Sequence, residues 1–281
     1  MVIRELINKV AERLENSGCD NSLFEAHQIV RHVTGYSAVD LVLNHQKDAG
    51  EYADKVFSLT KEREGHKPLQ YILGTQEFMS LEFFTSENVL IPRSDTETLV
   101  EYVLENIKGE ISLLDIGTGT GCIPLSIAHY NKKALVRGLD ISDTALCLAK
   151  KNAEKLNLTK RSSFEKLDIL KEIPMGQYDV VTSNPPYIKS DIIPTLQTEV
   201  RDYEPHLALD GGSDGLDFYR RITAIAPKFL KPSGLLIFEI GYDQAEAVSH
   251  LMEKDFENIV MLSDLAQNDR VVCGNLKGHL I

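Results

Sequence analysis

The chain has 281 residues, of which 43% are hydrophobic and 26% charged, which is ordinary for a soluble globular protein of one large or two modest domains. It contains no apolar run of about 18 residues and no charged leader before an apolar stretch, so we expect neither export nor a membrane span, and a cytoplasmic location. A net charge of −12 argues against a protein that grips nucleic acid through its phosphates.

The cysteine and histidine residues give no sign of a disulfide framework or a metal site. The four cysteines lie far apart and form no Cys-x-x-Cys pair. The eight histidines include no His-Glu-x-x-His spacing. We therefore predict buried, reduced thiols and no metal. The cysteines are Cys19, Cys122, Cys147 and Cys273.

Residues 1–70 are predicted to form a small bundle of helices. Apolar residues recur at helical spacing along this part, and the first helix should end near Gly18. Ser22 with Glu25 has the spacing of a capping box, and Ser37 with Asp40 repeats it for a short helix. No cluster of side chains here suggests chemistry, so we expect a module for packing or partner recognition. The apolar stripes are Ile3, Leu6, Ile7, Val10 and Leu14; Leu23, Ala26, Val30 and Val33; and Tyr52, Val56 and Leu59.

Residues 71–94 are predicted to link this bundle to a second domain through a β-hairpin. Two β-rich runs, 81–85 and 88–91, are separated by Ser86 and Glu87. The next helix begins near Thr98. Arg93 lies close to that helix start, where it either holds a carboxylate or caps a neighbouring group, and the sequence leaves both interpretations open.

After residue 110 strands and helices alternate, which is typical of a mostly parallel sheet with helices on both faces. A loop over 188–212 is long for a compact domain unless it serves as a lid or a binding loop. The segments 259–262 and 270–273 should form an antiparallel pair near the end of the chain. The other predicted strands are 111–116, 134–139, 163–167, 178–182 and 235–240, and the predicted helices are 98–107, 123–129, 143–156, 216–230 and 244–253.

The turn Ser183-Asn184-Pro185-Pro186-Tyr187 follows a short apolar strand, so it should lie where open α/β sheets bind ligands. Each proline fixes φ and lacks an N–H, which leaves a stiff turn rich in carbonyl acceptors. The side chain of Asn184 adds an acceptor beside the Pro185 carbonyl, and Tyr187 can cover a flat group. The pattern predicts a site for a planar –NH2 group, with one acceptor for each N–H.

A glycine turn, Gly-Thr-Gly-Thr-Gly, opens the helix after strand 111–116. Its spacing differs from the G-x-G-x-x-G that places a pyrophosphate on a helix N-terminus. Asp140, at the end of the next strand, can accept hydrogen bonds from both hydroxyls of a ribose. Asp168 with the backbone of Ile169 either reaches an adenine or only caps a turn. S-adenosylmethionine suits this pattern, because it contains an adenosine group but no pyrophosphate. The predicted cofactor contacts are Gly117, Thr118, Gly119, Thr120, Gly121, Asp140, Asp168, Ile169 and Asn184.

These motifs resemble those of class I S-adenosylmethionine-dependent methyltransferases that modify amino groups. The Asn-Pro-Pro-Tyr form occurs in adenine-N6 DNA methyltransferases and in protein glutamine methyltransferases. Further stretches across nearly the whole chain are similar to the release-factor glutamine methyltransferase family. The chain departs from that family at Ser94, where proline is commoner, and at Ile169, where some members carry an aromatic residue. The similar stretches are 68–74 (Pro-Leu-Gln-Tyr-Ile-Leu-Gly), 77–78 (Glu-Phe), 90–97 (Leu-Ile-Pro-Arg-Ser-Asp-Thr-Glu), 204–209 (Glu-Pro-His-Leu-Ala-Leu) and 268–270 (Asn-Asp-Arg).

The resemblance implies an α/β fold, namely a Rossmann-like, seven-stranded class I methyltransferase sheet with a small N-terminal all-helical domain joined by a β-hairpin. The implied domains are a substrate-recognition bundle over 1–70, a linker over 71–94 and a methyltransferase domain over 95–281. The implied activity is N5-methylation of the glutamine in the Gly-Gly-Gln motif of class I peptide-chain release factors. These release factors are the implied partners, without stable binding of nucleic acid or membrane. Asn184, Pro185 and Tyr187 are the implied catalytic residues, and Asn184, Pro185, Pro186 and Tyr187 would bind the substrate.

Two alternatives from other classes remain. An adenine methyltransferase acting on nucleic acid would make the same demands on Asn184, although the acidic charge and the missing target-recognition domain count against it. A non-catalytic protein that only binds S-adenosylmethionine would not need an intact Asn-Pro-Pro-Tyr turn. The identity of the macromolecule that takes up a labelled methyl group would separate these functions.

Overall fold

The computed structural model of the protein describes residues 1–264 and 266–278. The chain forms two compact units. Met1–Thr75 with Gln197–Tyr203 makes the first, and Gln76–Leu196 with the chain from Glu204 onwards makes the second. The sequence placed the end of the helical part near residue 70 and gave no sign that 197–203 belongs with it. Residues 279–281 of the predicted methyltransferase domain lie outside the described residues.

Helices alone form the start of the chain, and strands and helices alternate in the rest. The helices are α1 (Ile3–Asn16), α2 (Ser22–Thr34), α3 (Ala38–Leu43), α4 (Gly50–Glu64), α5 (Leu69–Leu73), α6 (Glu97–Asn106), α7 (Cys122–Tyr130), α8 (Asp143–Lys155), α9 (Thr198–Tyr203), α10 (Asp217–Ile225) and α11 (Ala245–Met252). The strands are β1 (Thr75–Phe78), β2 (Leu81–Phe84), β3 (Ile111–Ile116), β4 (Ala134–Asp140), β5 (Ser162–Lys166), β6 (Tyr178–Ser183), β7 (Leu230–Glu239), β8 (Phe256–Ser263) and β9 (Asp269–Leu276).

The first unit is a helical bundle around its own apolar core, and a buried ion pair joins α9 to it. Arg63 on α4 is 3% exposed. Its Nε donates to Glu25 at 2.6 Å, and its Nη2 pairs with Glu199 of α9 at 2.6 Å. The predicted capping box of Ser22 and Glu25 is wrong, because a buried guanidinium needs carboxylate partners and takes Glu25 as one of them. The capping box of Ser37 and Asp40 is confirmed.

The hairpin lies one strand earlier than predicted. β1 and β2 pair with each other, and Phe78 and Phe83 on them are buried. Met79 and Ser80 make the turn with positive φ angles of 50° and 56°. The predicted strand over 88–91 is wrong, since Asn88 has a φ of 67° and so leaves the extended conformation that a strand requires.

Two predicted segments differ in extent from the structure. The loop over 188–212 contains α9 and two short 3-10 turns, Ile193–Thr195 and His206–Ala208. The helix predicted over 216–230 ends at Ile225, and a 3-10 turn that holds Pro227 follows. Proline cannot donate to an α-helical hydrogen bond, so the chain leaves the helix there and enters β7.

The second unit is built on a sheet that confirms the Rossmann-like prediction. In the described residues the sheet has seven strands in the order β5-β4-β3-β6-β7-β9-β8. Strands β3 to β7 run parallel, and β9 pairs antiparallel with both β7 and β8. Apolar clusters bury both faces of the sheet. The strand order reverses between β3 and β6, which is the point where open α/β sheets bind ligands.

Candidate active site

The two predicted motifs meet at the carboxyl ends of neighbouring strands. β3 and β6 are paired in parallel, with Ile116 opposite Ser183, so the glycine turn and the Asn-Pro-Pro-Tyr turn begin side by side. A cavity opens between them and the end of β4. The structure places most of the predicted site residues on its wall, and leaves Gly121 and Tyr187 off it. Those on the wall are Gly117, Thr118, Gly119, Thr120, Asp140, Asp168, Ile169, Asn184, Pro185 and Pro186.

Main-chain hydrogen bonds shape the glycine turn. The N–H groups of Gly117 and Thr118 donate to the carbonyl of Leu139, at 2.8 and 2.9 Å, which ties the turn to the end of β4. Gly119 has a φ of 54°, and a Cβ added there would meet no atom within 4 Å. Gly121 serves packing, since a Cβ there would lie 3.0 Å from the side chain of Leu125. The turn thus presents bare backbone to the cavity, which allows a ligand to approach closely.

Asp140 is held in place by two main-chain donors. Its Oδ2 accepts from Gly119 N and its Oδ1 from Ser142 N, both at 2.9 Å. Burial raises the pKa of Asp140, and these backbone hydrogen bonds act in the opposite direction. The N–H of Ile141 is a further main-chain donor to this carboxylate. A carboxylate has about four acceptor sites, so Asp140 keeps acceptor capacity on the cavity wall.

Asp168 caps a turn and also lines the cavity, so both sequence interpretations have a basis. Its Oδ1 accepts from Leu170 N at 3.1 Å, and its Oδ2 pairs with Lys171 at 2.7 Å. The hydrogen bond from Lys171 lowers the pKa of Asp168. Ile169 is buried beside it on the wall. Phe218 of α10 also lines the cavity, and the sequence analysis missed it because no local motif marks it.

The Asn-Pro-Pro-Tyr turn is anchored from behind. Ser183 Oγ donates to the carbonyl of Ile116 at 2.7 Å. Gln244 Nε2 donates to the carbonyl of Tyr187 at 3.1 Å. The Tyr187 ring packs against an apolar cluster, and burial raises the pKa of Tyr187 to about 12. The ring is therefore part of the support of the turn, and the structure does not place it over the cavity.

The side-chain amide of Asn184 has a polar partner outside the turn. Its Nδ2 donates to Thr96 Oγ1 at 3.5 Å, and Thr96 directly precedes α6. With Nδ2 engaged in this way, Oδ1 is the remaining acceptor of the amide. Asn184 and Pro185 both line the cavity. The role of Asn184 Oδ1 and the Pro185 carbonyl as a pair of acceptors stays a prediction.

Two buried acids near the site escaped the sequence analysis. Asp115 of β3 accepts from Thr182 Oγ1 at 2.7 Å, and burial raises the pKa of Asp115 to about 6. Glu239 ends β7, and burial raises its pKa to about 7. Each has one carboxylate oxygen without a hydrogen-bond partner in the described part of the chain. The sequence does contain a signal for both residues, because each is an acid within an otherwise apolar strand. Acids are rarely buried unless they have a specific role.

Arg93 pairs with a buried carboxylate, which answers the question that the sequence left open. Its Nη2 donates to Glu204, whose side chain is 2% exposed. Arg93 itself lies on the cavity wall. The ion pair therefore ties the 188–212 segment at Glu204 to a residue of the cavity wall.

The fold and the paired turns define this protein as a methyltransferase with a Rossmann-like sheet. A family model described as "Methyltransferase domain" matches residues 107–279, and one described as "PrmC N-terminal domain" matches residues 5–74. Over 97% of this chain and 98% of the relative, it is 41% identical to a release factor glutamine methyltransferase of Clostridium acetobutylicum. A release factor glutamine methyltransferase of Geobacter sulfurreducens is 39% identical, over 98% of this chain and 96% of the relative. The chain belongs to the release factor glutamine methyltransferase family.

A solved structure supports the fold. A methyltransferase from Pyrococcus furiosus aligns with a TM-score of 0.54 at 18% identity, over 70% of this chain and 89% of that one. Within residues 1–264 and 266–278, no helix is long and apolar enough to cross a membrane, and no group of three or more His, Cys, Asp or Glu residues is placed to hold a metal ion.

Proposed function

We propose that this protein transfers a methyl group from S-adenosylmethionine to the side-chain nitrogen (N5) of the glutamine in the Gly-Gly-Gln motif of class I release factors. The observation that supports the proposal is that Asn184 and Pro185 lie on the same cavity wall as the glycine turn. The names of the full-length relatives support the substrate. The cytoplasm is the location that goes with such a substrate.

The glycine turn and Asp140 suit S-adenosylmethionine. The open space at Gly119 allows the ligand to approach the backbone, and the carboxylate of Asp140, on the cavity wall, would accept from the ribose. Asp168, Ile169 and Phe218 also line the cavity, and we propose that they contact the adenine ring. The cofactor supplies an electrophilic methyl group on its sulfonium.

The chain's own contribution is to orient a poor nucleophile. An amide nitrogen is weakly nucleophilic because its lone pair is delocalised into the carbonyl. Hydrogen bonds from its two N–H groups to Asn184 Oδ1 and the Pro185 carbonyl would direct that lone pair towards the methyl carbon. Both bonds strengthen as the nitrogen gains positive charge, so they stabilise the transition state more than the ground state. Holding the two reactants together lowers the remaining barrier.

Discrimination between glutamine and adenine must come from the approach to the cavity, since both present a planar –NH2. An exposed Gly-Gly-Gln loop can enter deeply because its glycines have no side chains. Adenine in a duplex must be flipped out at a cost of a few kcal/mol, and a chain of net charge −12 offers few phosphate contacts to offset it. These considerations favour the protein substrate.

The test is methyl transfer with labelled S-adenosylmethionine and three acceptors: a class I release factor, the same factor with the Gly-Gly-Gln glutamine changed to alanine, and adenine-containing DNA at moderate salt. We expect label only in the unmodified factor, with mass spectrometry placing the methyl on the glutamine side-chain nitrogen. Label in DNA and not in the release factor would overturn the substrate and leave the methyltransferase class intact.

A further inference from the structure

Arg93 supplies the positive charge of the cavity wall. Among the described residues that line the cavity, it is the one with a cationic side chain, and Asp140 and Asp168 are the two with anionic side chains. In the proposed function Asp140 binds the ribose and Asp168 contacts the adenine. Both carboxylates thus serve the adenosine part of the cofactor, and the role of the arginine is still open.

The guanidinium of Arg93 has donors beyond those of its ion pair. Its Nη2 donates to Glu204, which is the one carboxylate paired with it in residues 1–264 and 266–278. A guanidinium carries five N–H donors in a planar fork, so it can serve two carboxylates at once. The Arg93 side chain is also 39% exposed, so it keeps donors for a second anion. Two other arginines of this chain pair with two carboxylates each. These pairs are Arg63 with Glu25 and Glu199, and Arg270 with Asp95 and Asp264.

Arg93 belongs to the segment that contacts the asparagine turn. It directly precedes the 3-10 turn Ser94–Thr96, and Thr96 Oγ1 accepts from Asn184 Nδ2 at 3.5 Å. In S-adenosylmethionine the sulfonium joins the ribose to the methionine chain, which ends in an α-ammonium and an α-carboxylate. With the ribose at Asp140 and the methyl group at Asn184, the methionine chain would continue into the part of the cavity that Asn184 and Arg93 line.

We propose that Arg93 binds the α-carboxylate of S-adenosylmethionine, while its pair with Glu204 holds the guanidinium at the cavity wall. The inference rests on the cofactor of the proposed function and does not depend on which molecule accepts the methyl group. The Glu204 side chain is 2% exposed, so it is a fixed partner for Nη2. The remaining N–H groups of the fork match the two oxygens of a carboxylate in a charge-assisted pair. A ligand without the carboxylate would gain nothing from this charge.

The experiment compares S-adenosylmethionine with decarboxylated S-adenosylmethionine, which lacks only the α-carboxylate. Isothermal calorimetry measures the Kd of each ligand for the parent, Arg93→Gln and Arg93→Lys. The parent should prefer S-adenosylmethionine by about 10- to 100-fold, the effect of hydrogen bonds between charged groups. Arg93→Gln should lose most of this preference through weaker binding of S-adenosylmethionine, with the Kd of the decarboxylated ligand nearly unchanged. Arg93→Lys keeps a charge beside the buried Glu204, which protects the fold, but lacks the planar fork, so it should retain an intermediate preference.

Lys171→Gln is the matched control, because it also removes one positive charge near the cavity. Lys171 pairs with Asp168, and its side chain is 80% exposed. Its ratio of the two Kd values should stay parental. Equal binding of both ligands by the parent would overturn the inference, as would a parental ratio in both Arg93 variants or an equal loss of preference in Lys171→Gln. A parent that shows the preference but methylates no release factor would overturn the proposed substrate and leave this inference standing.

Discussion

The two ends of the cavity are built in different ways. The glycine end, Gly117 to Gly121 with Asp140, is held by main-chain groups, since the N–H groups of three neighbouring residues donate to Leu139 and Asp140. The asparagine end, Asn184 to Tyr187, is held by the side chains of Thr96 and Gln244, which come from separate parts of the chain. A site that depends on backbone geometry leaves a compact motif in the sequence. A site that depends on distant side chains does not.

The two ends also differ in what a substitution should change. In the proposed function, the glycine end would offer backbone and a carboxylate to the cofactor, so its variants should alter binding. The asparagine end would offer acceptors for a charge that develops during reaction, so its variants should alter rate. Substitutions at both ends of the cavity test this difference.

Asn184→Ala should have the largest effect. By analogy with the loss of one preorganised donor from an oxyanion hole, removing this acceptor should lower kcat by roughly 10²- to 10³-fold. The affinity for S-adenosylmethionine and the melting temperature should stay close to parental values, measured by calorimetry. Asn106→Ala, at the exposed end of α6, is the control and should leave kcat unchanged. Activity within a few-fold of the parent would reduce Asn184 to a turn residue.

Glu239→Gln should change the pH dependence of stability. Because burial raises the pKa of Glu239 from its usual 4.5 to about 7, the folded state holds its proton over that window while the unfolded state releases it. This stabilising contribution is complete below pH 4.5 and is lost as the pH rises to 7. Between pH 4.5 and pH 7, the free energy of unfolding of the parent should fall by on the order of 3 kcal/mol relative to that of Glu239→Gln.

Urea unfolding of both proteins at pH 5 and pH 8 measures this difference. The free energy of unfolding of Glu239→Gln minus that of the parent should be larger at pH 8 than at pH 5, because the parent loses stability as Glu239 ionises. Glu257→Gln on β8 changes an exposed acid and serves as the control, with no such difference expected. A constant offset at both pH values would show that Glu239 does not ionise near neutrality.

Asp140→Ala should weaken binding of S-adenosylmethionine at the glycine end. Loss of charged hydrogen bonds to the ribose corresponds to about 1.5–3 kcal/mol, or roughly 10- to 100-fold in Kd. Isothermal calorimetry measures the change directly. Asp143→Ala removes a carboxylate whose side chain is 77% exposed and should leave the affinity intact. An unchanged Kd for Asp140→Ala would mean that the ribose is held elsewhere.

Asp168→Ala should have the smallest effect. Its carboxylate is already engaged with Lys171 and Leu170 N, so an adenine contact would add about 0.5–1.5 kcal/mol, or a 2- to 10-fold change in Kd. Lys171→Ala separates the two roles of Asp168, because it removes the ion pair and keeps the carboxylate. Equal weakening by both variants would assign Asp168 to the turn and not to the ligand.

What the sequence could predict follows the same division. The sheet, the glycine turn, Asp140 and the Asn-Pro-Pro-Tyr turn all lie in short segments with a local pattern, and the structure brings these turns together through the pairing of β3 with β6. The contact of Thr96 with Asn184 could not be predicted, because the two residues are 88 positions apart and no local pattern marks them. Glu25 shows the opposite case, in which a local pattern misled the prediction. The sequence predicted that Glu25 caps a helix, but its carboxylate pairs with Arg63, 38 positions away.

The inclusion of α9 in the first unit has a consequence for protein complementation. A protease cut between Thr75 and Gln76 would sever the only covalent link between the fragments 1–75 and 76–281. Yet α9, which belongs to the larger fragment, supplies two contacts in the intact protein: Glu199 pairs with Arg63, and the Tyr203 hydroxyl donates to the carbonyl of Gly65, at 2.6 Å each. The larger fragment thus carries an anchor for the smaller one. The protein is a natural candidate for a split enzyme, in which two separately produced pieces reassemble around a helix of six residues.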